Sequence, residues 1–142
     1  MKPPELSNLF SDSDFANYPF VRIPQEFADE RGSIQNIADG EIGDVALISS
    51  QTGSVRANHV HENDWHLTFV VSGQMIYHWV SENGLKQSTV VKNSQMVFTP
   101  QKTPHKMVFT ADTLFIAISK LKRSHEEYEA DTKKIDDGFF QE

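Results

Sequence analysis

Short runs of β-branched and aromatic residues recur along most of this chain, and turn-forming residues separate them. From about residue 31 onward the runs include GSIQNIA, DVALISS, HLTFVVS, MIYHWVS, KQSTVVK and LFIAISK. Between two of them, Asn83-Gly84 is a dipeptide typical of a tight β-hairpin turn. No helical period of apolar residues falls between the runs, so the pattern predicts about seven or eight antiparallel strands in a sandwich or barrel.

The two ends of the chain differ in character from this strand region. Residues 1–28 are polar, with isolated aromatic residues and four prolines, and predict an irregular arm packed on the barrel. Residues 29–121 are predicted to form the barrel, and residues 122–142 a helix and tail of the same single domain. Ser124 and Glu127 have the spacing of a capping box at the start of that helix. The terminal Phe139 and Phe140 are predicted to pack either on their own domain or on a second subunit.

Composition narrows the classes of function that fit the chain. The formal charge is −7, from 20 acidic and 13 basic residues, which argues against a general nucleic-acid-binding protein. No apolar run approaches the roughly 18 residues of a membrane span. The polar start lacks the apolar core of a secretory signal, so the cytoplasm is the expected compartment. The chain has no cysteine, so any metal site must use nitrogen or oxygen ligands.

Four of the six histidines fall in two clusters whose spacing is informative. His59 and His61 are two residues apart, so on a strand both side chains lie on the same face. His66 begins one apolar strand and His105 precedes another, which places both near strand ends. We therefore expect these imidazoles to meet inside the barrel. There they either bind one divalent transition metal or form a hydrogen-bonded pocket without metal.

The spacing of the first cluster resembles the first motif of the cupin superfamily. That motif has a glycine, a His-x-His pair, a glutamate and a closing glycine, which match Gly53, His59, His61, His66 and Gly73. The departure is His66, which stands where the family usually has glutamate. A carboxylate that some cupins use in proton transfer is therefore replaced by an imidazole.

The second cupin motif is matched in part. Pro100 and His105 have the separation of the family, whereas Ser94 and Lys102 replace its two glycines and Phe109 replaces a frequent asparagine. The resemblance implies an all-β fold, the double-stranded β-helix or cupin jelly-roll barrel, here followed by a short C-terminal helix. It also implies one Zn, Fe, Ni, Cu or Mn ion, held by His59, His61, His66 and His105.

The segment DERGSI (residues 29–34) is similar to a strand of the sugar-nucleotide cupins, the deoxysugar 3,5-epimerases and 3,4-ketoisomerases. This resemblance implies that Arg31 and Arg56 bind substrate, since a guanidinium grips a phosphate through two parallel hydrogen bonds. Surface ion pairs are the alternative for both arginines. The resemblance further implies His61 as catalytic base and Tyr77 as proton donor. Trp79 is predicted as a further substrate contact on the wall of an apolar pocket.

Taken together, the resemblance implies a metal-binding isomerase or epimerase that acts on a sugar-related substrate. Two alternatives stay open: an Fe(II) or Ni(II) dioxygenase or lyase acting on a small organic acid, and a small-molecule-binding protein without catalysis. The expected partner is a small molecule, with no nucleic acid and no membrane. A homodimer is also expected, because partner subunits commonly cover the open sheet edges of small sandwiches.

Overall fold

Two antiparallel five-stranded sheets form the body of the protein. The structure is a computed structural model that describes residues 1–23 and 26–141, the side chain of His125 excepted. A 3-10 turn spans Asp12–Phe15 and one helix, α1, spans His125–Asp131. The strands are β1 (Phe20–Val21), β2 (Glu26–Asp29), β3 (Gly32–Gln35), β4 (Asp44–Ser50), β5 (Val55–His61), β6 (His66–Ser72), β7 (Gln74–Val80), β8 (Lys86–Lys92), β9 (Met96–Thr99), β10 (His105–Phe109), β11 (Thr113–Ser119) and β12 (Thr132–Lys134).

The order of the strands is that of a jelly roll. The first sheet has the order β1-β9-β6-β11-β4 and the second the order β12-β5-β10-β7-β8, while β2 and β3 form a separate hairpin. From β4 to β7 successive strands alternate between the two sheets, so strands distant in sequence become neighbours. The predicted all-β jelly roll with one short helix is confirmed.

The core lies between the sheets because alternate residues of their strands point inward. In β11 the residues alternate between buried and half-buried positions before the strand becomes fully buried. Tyr77 and Phe109 of the second sheet pack with Val70 and Phe115 of the first, and the rings of Phe109 and Phe115 are stacked at 5.5 Å. This packing holds the two sheets together at the end of the barrel opposite His105 and His66.

The N-terminal arm packs its aromatic residues on the barrel. Phe10 and Phe15 are buried, and the ring of Phe15 meets that of Phe98 edge-on at 5.2 Å. The short strand β1 then pairs with β9, through Phe20 and Val97 among others. The segment predicted as an arm therefore also contributes a strand to the first sheet.

The C-terminal segment closes over the second sheet. Helix α1 begins after Ser124 as predicted, but the predicted capping box is wrong, because the Ser124 side chain makes no capping hydrogen bond. Strand β12 follows at once and pairs with β5. Phe140 is buried within its own domain, with its ring 5.7 Å from that of His78. No helix among the described residues is both long and apolar enough to cross a membrane.

Candidate functional site

Three of the predicted ligands meet inside the barrel. His59 and His61 lie on β5, and His105 begins β10, which pairs with β5 so that His105 is opposite His59. The ring of His59 lies 4.4 Å from that of His61 and 4.7 Å from that of His105. One nitrogen of each ring lies within 4.8 Å of the other two, an arrangement that suits a shared metal ion.

A β-bulge positions the first two histidines. Ala57 and Asn58 have φ values of 65° and 57°, in the left-handed region, and the pairing of β5 with β10 shifts register there. Such bulges bend a strand and redirect its side chains near functional sites. The side-chain Nδ2 of Asn58 donates a hydrogen bond to Asp137 Oδ1 at 3.3 Å, so the C-terminal tail supports the bulge.

The three imidazoles are neutral at pH 7. Burial, with smaller contributions from the neighbouring histidines and Arg123, lowers the pKa of His59 to about 3 and that of His61 to about 4. Burial and the adjacent His59 also hold the pKa of His105 well below its ordinary value. A neutral imidazole has a lone pair available, which is the form that binds a metal ion.

Hydrogen bonds to one nitrogen of each ring leave the other nitrogen open in two of these histidines. His105 Nδ1 lies 2.8 Å from the carbonyl oxygen of Thr103, so Nδ1 donates and Nε2 keeps the lone pair. His61 Nδ1 lies 3.1 Å from Thr132 Oγ1. Among the described atoms, His61 Nε2 is buried without a hydrogen-bond partner. An orphaned buried nitrogen of this kind fits a missing ligand such as a metal ion.

The fourth predicted ligand, His66, is engaged differently. Its Nε2 lies 2.8 Å from Asp64 Oδ2, and both side chains are buried. Burial alone would raise the pKa of the Asp64 carboxyl, but hydrogen bonds from His66 and the Leu121 amide hold it below its ordinary value. The carboxylate is therefore ionised and accepts Nε2–H of His66, which leaves Nδ1 of His66 as its open nitrogen. One atom each of His61, Asp64 and His66 lies within 4.8 Å of the others, a second group next to the first.

Asp131, at the end of α1, holds the turn that carries Asp64. Its carboxylate accepts hydrogen bonds from the backbone of Asn63 and Asp64 and from the Asn63 side chain, each at 2.9 Å. The same helix places Tyr128 over the histidines, with its ring 5.7 Å from that of His61 and 6.3 Å from that of His59. The C-terminal segment thus completes one wall of the site.

A cavity of about 120 Å³ adjoins the histidines. Its polar wall includes the imidazoles of His59, His66 and His105 and the hydroxyl-bearing residues Thr68 and Tyr128. Arg56 and Arg123 also line it, whereas Ile48, Met107, Phe115 and Ala117 form an apolar wall. The cavity is therefore lined both by candidate metal ligands and by the guanidinium-bearing residues Arg56 and Arg123.

Three other predicted site residues lie away from this cavity. Arg31 lies on the β2–β3 hairpin with its side chain 80% exposed, and its guanidinium is 2.6 Å from Asp29. Tyr77 is fully buried in the core, where its hydroxyl is 2.6 Å from Thr99 Oγ1, and burial raises its pKa far above the ordinary value. Trp79 stacks on Tyr77 at 5.5 Å. None of the three lines the cavity among the described residues.

Three residues that sequence reasoning did not single out take part in the site: Asp64, Arg123 and Tyr128. Asp64 had a local signal, since it is an acid between His61 and His66. Arg123 and Tyr128 had none, because they reach the histidines only through the return of the C-terminal segment to β5.

All four positions at which the cupin motifs have glycine adopt the backbone conformation that favours glycine. Gly53 and Gly73 have φ values of 87° and 109°, and the substituted Ser94 and Lys102 have 65° and 60°. At Ser94 and Lys102, where the motif glycines are replaced, the backbone thus keeps the turn conformation of the motif. This agreement is independent of the histidine geometry.

Comparison with known proteins gives a fold likeness only. No family model and no curated protein matches the chain. Among solved structures, dTDP-4-dehydrorhamnose 3,5-epimerase from Sulfolobus tokodaii is similar with a TM-score of 0.68 and 16% identity, over 84% of this chain and 77% of that one. The sugar 3,4-ketoisomerase QdtA from Thermoanaerobacterium thermosaccharolyticum in complex with TDP has a TM-score of 0.65 and 13% identity, over 80% and 85%.

A larger protein contains a similar unit. The capsular polysaccharide assembling protein CapF from Staphylococcus aureus has a TM-score of 0.60 and 22% identity, over 89% of this chain and 34% of that one. The likeness to these three proteins agrees with the two motifs and the jelly-roll topology. The chain therefore has the cupin-type jelly roll that its histidine and glycine spacing implied.

Proposed function

We propose that this protein is a metal-binding cupin that isomerises or epimerises a sugar-related substrate. The observation that carries the proposal is the meeting of three neutral, buried imidazoles, one of them with an orphaned nitrogen, beside a cavity. The fold likeness to an epimerase and a ketoisomerase supports the reaction class.

His59, His61 and His105 would hold the metal. The donor set is three imidazoles without thiolate, which suits Zn, Ni, Cu or Fe(II) among divalent ions. A bound ion of this kind acts as a Lewis acid that polarises a carbonyl oxygen. The second group places the imidazole of His66 next to the same site.

Proton transfer in the proposed reaction falls to groups on the cavity wall. His61 was predicted as the base, but its Nε2 belongs to the candidate metal group and its Nδ1 faces Thr132. His66 lines the cavity, and Asp64 fixes its tautomer so that Nδ1 can accept a proton. Burial raises the pKa of the Tyr128 phenol, which keeps it protonated and able to donate.

Metal content tests the site. The parent protein, purified without an affinity tag, is measured by plasma mass spectrometry beside the His59→Ala/His105→Ala double variant and a His78→Gln control. We expect about one metal ion per chain in the parent and in the control, and a loss in the double variant. Absence of metal from the parent, even after reconstitution with Zn, Ni and Fe(II), would refute metal binding.

Deuterium exchange tests the reaction class. An isomerase that removes a proton next to a carbonyl exchanges that proton with solvent, so keto sugars incubated in D₂O with the enzyme gain deuterium, which proton NMR detects. The His66→Gln variant should lose the exchange and keep its metal. Lack of exchange across keto sugars and TDP-linked keto sugars would contradict the isomerase proposal.

A second candidate is a metal-dependent dioxygenase or lyase for a small organic acid. The observation that favours it is the cavity volume of about 120 Å³, below the roughly 300–1,000 Å³ of typical ligand pockets. It predicts substrate-dependent oxygen uptake by Fe(II)-loaded protein or cleavage without oxygen. An oxygen electrode and product analysis with a panel of short acids distinguish the two reactions.

A further inference from the structure

We propose that the cavity selects a substrate bearing a carboxylate, such as a sugar acid or short hydroxy acid, and that Arg56 and Arg123 bind this carboxylate. The inference rests on the proposed function, because it assigns a substrate class to the same site. It differs from a nucleotide-linked neutral sugar, for which Arg56 would bind a diphosphate.

The charge of the cavity wall favours an anion. Arg56 and Arg123 are two of only four arginines in a chain with a formal charge of −7. The described residues that line the cavity include no aspartate or glutamate, and the histidines there add no negative charge. Asp44 offsets part of the charge of Arg123, and the ionised Asp64 lies beside His66, whereas Arg56 forms no ion pair among the described residues. Arg56, the remaining charge of Arg123 and a divalent metal would together favour an anionic ligand.

Arg56 is held in place from one side. Its Nε donates to Ser50 Oγ at 2.7 Å and its Nη2 donates to the carbonyl oxygen of Ser49 at 3.0 Å. These two bonds fix the guanidinium on the edge strand β4 without neutralising its charge. A guanidinium oriented in advance loses less side-chain freedom when it binds a ligand.

Arg123 lines the same cavity and comes from the C-terminal segment, between β11 and α1. Its Nε lies 3.2 Å from Asp44 Oδ2, which is close enough for an ion pair. The geometry is not that of a hydrogen bond, so the buried Nε–H has no hydrogen-bond partner among the described atoms. The guanidinium carbon lies 5.6 Å from the centre of the Tyr128 ring. Asp44 and Tyr128 thus orient Arg123, and a carboxylate would supply the missing acceptor.

The other residues that line the cavity indicate which further groups a ligand would carry. Thr68 is fully buried, lines the cavity, and its Oγ1 has no hydrogen-bond partner among the described atoms. A hydroxyl or keto oxygen of a ligand would satisfy it, since unpaired buried hydroxyls are costly. Met107 and Phe115 form the apolar side, against which the carbon atoms of a ligand would lie. An acid that also carries a hydroxyl or keto group matches all three features.

The size of the cavity limits how much of a ligand enters. A volume of about 120 Å³ equals that of roughly four waters at ~30 Å³ each. A three-carbon acid enters whole, and a hexose acid enters with its acid end. The volume is too small for a whole nucleotide, most of which would lie outside the cavity.

Binding measurements with matched pairs of ligands test the proposal. Isothermal titration calorimetry compares D-glycerate with glycerol and D-galacturonate with D-galactose on the full chain, both metal-free and loaded with Zn. dTDP is titrated as a third kind of ligand. We expect each acid to bind at least about tenfold more tightly than its neutral partner, because charge-assisted hydrogen bonds are gained. Equal binding of acid and neutral partner, or binding of dTDP alone, would overturn the proposal.

Variants assign the effect to the arginines. Arg123→Gln and Arg56→Gln should each weaken binding of the acids by about tenfold, and Arg123→Lys, which keeps the charge, should weaken it less. Lys92→Gln, an exposed cation at the end of β8 and outside the residues that line the cavity, is the charge control and should leave binding unchanged. A melting curve for each variant confirms that it folds. If acids bind the Zn-loaded protein and neither arginine variant weakens them, the arginine assignment is wrong.

The outcome separates this inference from the proposed function. Loss of metal in His59→Ala/His105→Ala and deuterium exchange on keto sugars report on the proposed function. Preference for an acid over its neutral partner, and its dependence on Arg56 and Arg123, reports on the inference. A metal-loaded, exchanging enzyme that binds neutral sugars as well as acids would retain the first and refute the second.

Discussion

Asp64 accepts a hydrogen bond from His66 at one carboxylate oxygen and from the Leu121 amide at the other, and its own amide donates to Asp131. Its side chain is only 4% exposed. We expect Asp64→Asn to lower the free energy of unfolding by about 1–3 kcal/mol, because the amide cannot accept both bonds and its NH₂ group would face a donor. Urea unfolding at pH 7 measures the change.

The matched control for this substitution is Asp12→Asn. Asp12 is exposed on the 3-10 turn of the arm, so the same loss of charge there should change stability by less than about 0.5 kcal/mol. Equal effects of the two substitutions would mean that the Asp64–His66 pair contributes nothing specific to the fold.

At the scale of single residues, spacing predicted part of the site. His59 and His61 were placed on one face because side chains alternate along a strand, and His105 was placed with them by the cupin resemblance. The partner of His66 was not predicted, because a hydrogen bond between Asp64 and His66 depends on the shape of the turn between β5 and β6. Arg123 carried no signal at all, since its neighbours come from distant parts of the chain.

At the scale of elements, the turn before β10 keeps a conformation that its sequence does not favour. Lys102 has a φ of 60°, and its amide donates to the carbonyl of His61, so this turn holds the start of β10 against β5. A left-handed conformation costs a residue with a side chain roughly 1–2 kcal/mol, whereas glycine adopts it freely. We expect Lys102→Gly to raise the free energy of unfolding by about 0.5–1 kcal/mol, measured by urea unfolding.

The same substitution at an exposed strand end without positive φ is the control. Lys92 ends β8, is exposed and is not among the residues with positive φ. Lys92→Gly should therefore destabilise the protein by about 0.5–1 kcal/mol through the greater freedom of glycine in the unfolded chain. Destabilisation by both substitutions would show that the turn at Lys102 is not strained.

Elements were predicted where a local pattern specifies them and missed where pairing is long-range. Alternation and turn residues predicted β4 to β11. Strand β12 was not predicted, because residues 132–134 form a strand by pairing with β5, which is distant in sequence. Alternation also placed Tyr77 inward, correctly, but it does not tell how deep a side chain lies. Tyr77 points into the core rather than into the cavity.

At the scale of the whole molecule, the edges of the sheets bear on assembly. Strand β4 ends the first sheet, and its Val45 and Leu47 are 62% and 68% exposed. Exposed apolar side chains on a free strand edge suit pairing with another chain. The homodimer stays a prediction, which sedimentation of the parent and of a Val45→Lys/Leu47→Lys variant tests.

Stability of the whole molecule should depend on the protonation of its buried histidines. Above about pH 7.5, one unit above the ordinary histidine pKa of about 6.5, the imidazoles of His59, His61 and His105 are neutral in the folded and the unfolded chain, so they add almost no dependence on pH. Below that pH these imidazoles bind protons in the unfolded chain but not in the folded chain, because the pKa values of His59 and His61 in the fold are about 3 and about 4. The free energy of unfolding of the metal-free protein should therefore fall as the pH falls, by at most about 1.4 kcal/mol per pH unit for each imidazole.

Urea unfolding in EDTA from about pH 7.5 to about pH 5 measures this slope above the range in which most carboxylates titrate. A His59→Gln/His61→Gln/His105→Gln variant removes the three titrating groups and should flatten it, even if its stability at neutral pH differs. Saturating Zn should steepen the fall, since protons then compete with the metal for the same nitrogens. A metal-free parent whose stability does not change over this range would mean that the three imidazoles are not buried as neutral groups.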